Sequence, residues 1–126
     1  TSVPGSSEYF KGTVVAYAND VKIRVLGVAA EDIEKEGAVS EKVVLQMAEG
    51  VRKLMQANYA VSTSGVAGPD GGTPEKPVGT VWIGIATPKR TFARKFVFSF
   101  TRERNIAKAA AKALELLMLE VENVEK

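Results

Sequence analysis

The chain has 126 residues, of which 45% are hydrophobic and 25% charged, and its formal net charge is only +2. It contains no cysteine and no histidine, which excludes disulfides, thiolate metal sites, the usual zinc and non-haem iron sites, and histidine-based catalysis. A chain of this length buries about two-thirds of its unfolded surface, enough for one core without cross-links. We therefore predict a single domain, without metal or cofactor, whose acid–base chemistry uses lysine, tyrosine, serine or carboxylate groups.

The sequence also limits the location and the partners of the protein. It has no run of 18 apolar residues and no signal-peptide pattern, so we predict a cytoplasmic protein without a membrane partner. The balance of 17 basic and 15 acidic residues gives no support for nucleic-acid binding. Apolar strands at Val81–Ile85 and Phe96–Phe100 favour a homo-oligomer.

Taken in order, the elements predict an α/β domain with a mixed sheet covered by helices. After a Pro4-Gly5 turn, β-branched residues at Gly12–Ala18 favour a first strand. The later elements are two short helices ending near Gly27 and Gly37, a helix starting at Ser40, strands at Tyr59–Gly65, Val78–Ala86 and Thr91–Phe100, and a helix over Thr101–Val124. The predicted buried stripe of this last helix is Ile106, Ala110, Ala113, Leu114, Leu117, Met118 and Val121.

A long irregular segment, Gly65–Gly79, lies between two predicted strands and holds five of the eleven glycines and three of the five prolines. Ordering each backbone residue costs about 1–2 kcal/mol, so a compact domain rarely keeps such a segment without using it. Glycines let the backbone approach a ligand closely, and consecutive amides can form an anion nest. The pattern favours a ligand-holding loop over a long turn without function. Its predicted binding residues are Ser64, Gly65, Gly68, Gly71, Gly72 and Thr73.

A candidate catalytic set precedes this loop. Without histidine, a serine nucleophile needs a lysine, or a tyrosine assisted by a lysine, as its base. Ser6 or Ser7, Tyr17 and Lys22 offer such a set, with the tyrosine near the end of a predicted strand and the lysine on the following turn. From the spacing alone, an edge tyrosine and a solvated lysine remain the simpler interpretation.

The start of the last helix carries two arginines in an unusual place. Thr101 is a good N-cap residue. Arg102 and Arg104 are unfavourable here, because their positive charges lie at the positive end of the helix dipole. A bound phosphate would reverse that effect, because helix amides and a guanidinium would then contact it together. The alternative is that both arginines are solvated or paired with Glu103.

Together these stretches resemble the C-terminal domain of the CinA (competence/damage-inducible) family, the nicotinamide-nucleotide amidohydrolases. The matching segments are PGSSEYFKGTVVAYANDVKIRVLGV at Pro4–Val28, GAVSEKVV at Gly37–Val44 and SGVAGPDGGTPEKPVGTVWIGIA at Ser64–Ala86. The resemblance covers nearly the whole chain, and the third segment is highly specific.

The resemblance implies a three-layer α/β/α sandwich acting in pyridine nucleotide salvage. It would deamidate nicotinamide mononucleotide to nicotinic acid mononucleotide and ammonia, with Ser7, Tyr17 and Lys22 as catalytic residues and Arg104 at the substrate phosphate. The family usually has Gly-Asp before that arginine, where this chain has Arg102-Glu103.

Family members also carry an upstream helix, a strand and a glycine-rich turn. The resemblance therefore implies that residues 1–126 form an N-terminally incomplete domain. A non-catalytic nucleotide-binding or scaffold module, associated with competence or the DNA-damage response, is the alternative.

Overall fold

The computed structural model describes residues 1–126 and shows three strands and four α-helices. In chain order the elements are a 3-10 turn at Ser6–Glu8, α1 (Asn19–Arg24), α2 (Ala30–Glu36), α3 (Glu41–Met55), β1 (Ala60–Gly65), β2 (Thr80–Ala86), β3 (Thr91–Val97) and α4 (Arg102–Val124). The strands form one antiparallel sheet in the order β1-β2-β3. This confirms the α/β class and every predicted element except the first strand.

The central strand β2 separates the two halves of the core, because alternate side chains point to opposite faces of a sheet. Val81, Ile83 and Ile85 are buried in one apolar cluster with Ala113 of α4. The opposite face packs on α3, and it approaches so closely that a Cβ on Gly84 would lie 2.5 Å from a main-chain oxygen of α3. Helices thus cover both faces, as expected of a three-layer sandwich.

The predicted first strand, Gly12–Ala18, is wrong, although its residues from Gly12 to Tyr17 are half-buried and exposed in alternation. Val14 and Ala16 pack against a second apolar cluster, whereas Val15 and Tyr17 are 81% and 85% exposed. This second cluster consists of Leu26, Val28, Val43, Val44 and Met47. Residues 11–17 make no main-chain hydrogen bond to another main-chain group. Alternating exposure shows only which side of the segment faces the core. A β-strand also needs main-chain hydrogen bonds to a neighbouring strand, and this segment makes none. The sheet is therefore antiparallel throughout rather than mixed.

Helix α4 buries only part of the predicted stripe: Ala113 is buried, and Leu117 packs against the cluster around β2. Ile106, Leu114 and Met118 were expected to be buried, but each is more than half exposed. The main row of residues that are buried or packed against the sheet recurs every three or four positions, at Asn105, Ala109, Ala113, Leu116 and Glu120, with Leu117 beside it. The two polar members of this row bond to the rest of the fold and fix the rotation of the helix.

One of these polar anchors is the ion pair between Arg90 and Glu120. Arg90 is the last residue of the turn between β2 and β3. Its guanidinium donates two hydrogen bonds of 2.9 Å to the Glu120 carboxylate. Glu120 is 6% exposed, and bidentate pairs of this kind are among the stronger charged contacts in proteins. The pair fastens the C-terminal half of α4 to the hairpin.

This pair predicts a loss of stability in acid. Hydrogen bonds from Arg90 lower the pKa of Glu120 from its ordinary value of 4.5, although burial acts in the opposite direction. The folded-state pKa is thus below the unfolded one, so the stabilisation is complete above about pH 4.5 and is lost as the pH falls through the folded value.

Thermal melts between pH 7 and pH 3 should therefore show that Glu120→Gln lowers the Tm most at neutral pH and progressively less in acid. Asp32, whose pKa is also lowered, chiefly by a hydrogen bond from Gln46, is present in both proteins and cancels in the comparison. A Tm difference that is constant with pH would contradict the prediction.

Candidate functional site

Lys22 is the most buried of the predicted catalytic residues, with 6% of its surface exposed. Because α1 begins directly after Ala18, its first turn directs the Lys22 side chain toward residues 16 and 17. The Nζ atom donates to the main-chain oxygens of Ala16 at 2.7 Å and Tyr17 at 3.4 Å. Burial lowers the pKa of Lys22 from its ordinary value of 10.5, which favours the neutral amine that a general base requires.

The other two members of the predicted catalytic set lie at the surface. The side chain of Tyr17 points into solvent, and Lys22 contacts its carbonyl rather than its hydroxyl. Ser7 is exposed in the 3-10 turn, whereas Ser6 is half-buried. The structure brings Lys22 and the main chain of Tyr17 together, but no hydrogen bond joins the side chains of Ser7, Tyr17 and Lys22. Their joint action stays a prediction.

The glycine loop between β1 and β2 is closed at its base by main-chain hydrogen bonds. The N–H of Val66 donates to the main-chain carbonyl of Thr80 at 2.9 Å, and the N–H of Gly79 donates to the carbonyl of Val66 at 2.7 Å. The N–H of Phe98, just after β3, donates to the carbonyl of Gly79 at 2.9 Å. The base of the loop is therefore fixed beside the segment that follows β3.

The predicted binding residues of the loop differ in their accessibility. Gly68 is buried, while Gly71 and Gly72 are exposed and present their backbone to solvent. Thr73 is committed to a local turn, because its hydroxyl accepts from the N–H of Lys76 at 3.0 Å and its own N–H donates to the carbonyl of Lys76 at 2.9 Å. Of the two residues at the end of β1, Ser64 is half-buried and Gly65 is exposed.

The first turn of α4 holds the glycine loop through two residues that the sequence did not single out for this role. The Asn105 side chain, 1% exposed, donates to the carbonyls of Ala67 at 3.1 Å and Phe100 at 3.2 Å, and accepts from the N–H of Phe100 at 3.1 Å. Arg102 donates to the carbonyl of Gly68 at 2.8 Å. Two consecutive loop carbonyls are thus fixed by α4.

Arg104, the residue predicted to bind phosphate, does not contact the loop by hydrogen bonding. Its guanidinium lies 4.7 Å from the centre of the Phe100 ring, and the ammonium of Lys108 lies 4.9 Å from the same ring. Its side chain is exposed, so it is accessible to a ligand. The two cations and the ring form a basic surface beside the start of α4.

Sequence and fold together decide the family. The family model of the CinA C-terminal domain matches residues 1–121. The chain belongs to this family. CinA-like proteins from Desulforapulum autotrophicum and Salinibacter ruber are 58% and 53% identical to it over 79% and 91% of its length. The matched regions are 24% and 28% of those proteins, so this CinA-family chain spans about a quarter of the length of these relatives.

Solved structures of the CinA family share its fold. A competence/damage inducible protein from Agrobacterium tumefaciens aligns with a TM-score of 0.91 and 35% identity, covering 94% of this chain and 73% of the other. The competence damage-inducible protein A of Klebsiella pneumoniae aligns with a TM-score of 0.91 and 32% identity, covering 96% and 75%. The family resemblance inferred from the three sequence segments is confirmed.

No group of three or more acidic, cysteine or histidine residues is placed to hold a metal ion. Even α4, the longest helix, lacks the sustained apolar stretch needed to cross a bilayer.

Proposed function

We propose that this domain hydrolyses the carboxamide of nicotinamide mononucleotide, giving nicotinic acid mononucleotide and ammonia. The observation that carries the proposal is the buried amine of Lys22, held beside Tyr17 in a chain of the family named above. Donation to the carbonyls of Ala16 and Tyr17 fixes the position of Nζ beside the main chain of Tyr17, and burial lowers the pKa of this amine from its ordinary value.

In the proposed reaction, Lys22 and Tyr17 activate Ser7, whose hydroxyl loses its proton to this pair while Oγ bonds to the carboxamide carbon. The same proton is then returned to the departing nitrogen as the C–N bond breaks, and ammonia leaves. Water attacks the resulting ester, gives one proton to the base and releases the acid, and Ser7 regains its hydrogen. Exposed amides of the glycine loop at Gly71 and Gly72 supply donors for the oxyanion or the substrate phosphate.

The test is ammonia release from nicotinamide mononucleotide by wild type and three variants, Ser7→Ala, Tyr17→Phe and Lys22→Ala. Loss of a positioned base typically costs about 10²–10⁴ in rate, and we expect a reduction of that order in Lys22→Ala. Because burial lowers the pKa of Lys22, the wild-type rate should rise with pH and level off below the ordinary lysine pKa of 10.5.

Exposed residues of the same types provide matched controls: Ser99→Ala, Tyr9→Phe and Lys89→Ala should keep the wild-type rate. Ser6→Ala separates the two candidate nucleophiles, because only loss of the nucleophile abolishes the acyl intermediate. Rates that are equal in wild type and all three test variants would contradict the assignment.

The exposed side chains of Ser7 and Tyr17, which share no hydrogen bond, favour a second candidate function. In this proposal the domain is a nucleotide-binding or scaffold module of a longer protein, associated with competence or DNA damage. Calorimetry that shows tight nucleotide binding without ammonia release would support it, whereas turnover at enzyme-like rates would exclude it.

For either function we propose a cytoplasmic homo-oligomer that binds a small nucleotide rather than a membrane or a nucleic acid. A gel shift at physiological salt tests the last point, because non-specific contacts to nucleic acid weaken steeply with salt. Light scattering after gel filtration would measure the number of subunits.

A further inference from the structure

Helix α4 has a second apolar side, which the rest of the chain leaves exposed. Its buried row faces the sheet through Ala113 and Leu116. Successive residues of a helix are rotated by about 100°, so a different set falls on the outer side, and all of its members are exposed: Ile106, Ala107, Ala110, Ala111, Leu114 and Met118. We call this set the outer face of α4. A surface helix normally presents charged and polar residues on the side away from the core, whereas this set is uncharged.

The charges of α4 are divided between its two halves. Residues 102–112 carry four bases and one acid: Arg102, Arg104, Lys108, Lys112 and Glu103. Residues 113–125 carry four acids and no base: Glu115, Glu120, Glu122 and Glu125. Arg104, Lys108 and Glu122 border the outer face, and none of the three takes part in an ion pair within the chain. The helix therefore has a basic end and an acidic end, each with free charges beside the apolar surface.

Side-chain size on the outer face follows the same division. Alanine occupies positions 107, 110 and 111 near the basic end, whereas Leu114 and Met118 lie near the acidic end. Helices pack closely where a large side chain of one lies against a small side chain of the other. An antiparallel helix of the same sequence presents alanines to Leu114 and Met118 and acidic residues to Arg104 and Lys108. A parallel copy would place bases opposite bases and large side chains opposite large ones.

We propose that two copies of this chain associate through the outer faces of α4, antiparallel about a two-fold axis near residue 112. In such an interface each contact occurs twice. Leu114 packs against Ala110 of the partner subunit, and Arg104 pairs with Glu122 of the partner subunit. The proposal rests on the homo-oligomer proposed above and names its interface, and it is independent of the amidase activity. The strand residues Val81–Ile85, which favoured an oligomer from the sequence, lie instead in the core of the domain.

The size of the surface predicts a weak dimer. From Ile106 to Met118 the outer face is about 18 Å long, so two helices bury less than the roughly 800 Å² per partner of a standard interface. We therefore expect a Kd of about 10–100 µM, at which monomer and dimer are both populated. Sedimentation equilibrium of the chain between about 10 µM and about 1 mM measures this constant directly.

Substitutions at the outer face test its apolar contacts. Because each change occurs twice in the dimer, Leu114→Ser and Met118→Ser should each raise the Kd at least about tenfold. Leu119→Ser is the matched control: Leu119 is 51% exposed, against 63% for Leu114, but it lies on another side of the same helix. This variant should associate like wild type. Thermal melts of each variant would show that it is folded.

Two further measurements test the antiparallel arrangement. Arg104→Glu and Glu122→Arg should each weaken association, and the double variant, which restores opposite charges in both pairs, should return to within about threefold of the wild-type Kd. The chain has no cysteine, so Ala111→Cys provides a single thiol close to the proposed axis. Mild oxidation should link Ala111→Cys into a covalent dimer. Lys89→Cys, in the exposed turn of the hairpin, should stay largely unlinked.

The results separate this interface from the other proposals. A chain that stays monomeric up to about 1 mM would overturn the interface and the homo-oligomer together. Association that Leu114→Ser and Met118→Ser leave unchanged, or that Leu119→Ser weakens equally, would overturn the interface alone. No rescue in the double charge variant and no cross-linking of Ala111→Cys would overturn the antiparallel arrangement. None of these results bears on ammonia release, which tests the amidase proposal.

Discussion

Replacing Gly79 by alanine should destabilise the domain more than any other single alanine substitution at a loop glycine. Gly79 has a φ of +94°, and a Cβ there would lie 1.7 Å from the carbonyl oxygen of Phe98. The left-handed backbone costs about 1–2 kcal/mol, and the overlap with rigid main chain adds about 1–3 kcal/mol or more. At this chain length such a loss lowers the Tm by about 10 °C or more, which calorimetry would measure.

A matched variant separates the two contributions. Gly27 also has a positive φ, +74°, but a Cβ there meets no atom within 4 Å. Gly27→Ala should therefore show only the backbone cost, a Tm loss less than half of that in Gly79→Ala. Equal Tm losses in the two variants would contradict the prediction, because they would mean that the contact with Phe98 is relieved without any loss of stability.

Asn105→Ala should combine a large loss of stability with a loosened glycine loop. The substitution removes three hydrogen bonds from a side chain that is 1% exposed, and it leaves the N–H of Phe100 and the carbonyl of Ala67 without their side-chain partner. Leaving a buried polar group unpaired costs about 1–3 kcal/mol. We expect about 2–4 kcal/mol from urea unfolding, and faster hydrogen exchange at the loop amides.

The same helix offers the control. Asn123 is exposed, so Asn123→Ala should change the free energy of unfolding by no more than about 0.5 kcal/mol. Arg102→Ala removes only the contact with the Gly68 carbonyl and should accelerate exchange in the loop with a smaller loss of global stability. Unchanged exchange in both Asn105→Ala and Arg102→Ala would show that α4 does not hold the loop.

Hydrophobic periodicity predicted most of the fold because it reports directly which side of an element faces the core. In the helix predicted to start at Ser40, Val43, Val44 and Met47 are buried at the helical spacing that marks one face of an α-helix. The method failed at Gly12–Ala18, because alternation shows a buried side but not a pairing partner. It failed again in α4, where apolar residues were counted and the buried polar residues Asn105 and Glu120 were not.

Part of the candidate site, including Lys22, could be predicted from the sequence, whereas the role of Asn105 could not. The composition reduced the available bases to a few residue types, and the resemblance directed attention to Lys22, which proves to be buried. The role of Asn105 depends on carbonyls 5 and 38 residues away in the chain, and no local pattern contains that information. Its position in one helical row with Ala109 and Ala113 is the only signal that could have suggested burial.

The unpaired segment around Tyr17 has a consequence for local stability. Amide hydrogens without a main-chain acceptor exchange with solvent through small local openings. Amide hydrogens of central strands exchange only when the domain unfolds globally. We expect residues 11–17 to lose protection long before β2 does. Tyr17 and the central strand β2 therefore belong to regions of unequal opening free energy, and the segment that carries the tyrosine can open without unfolding the sheet.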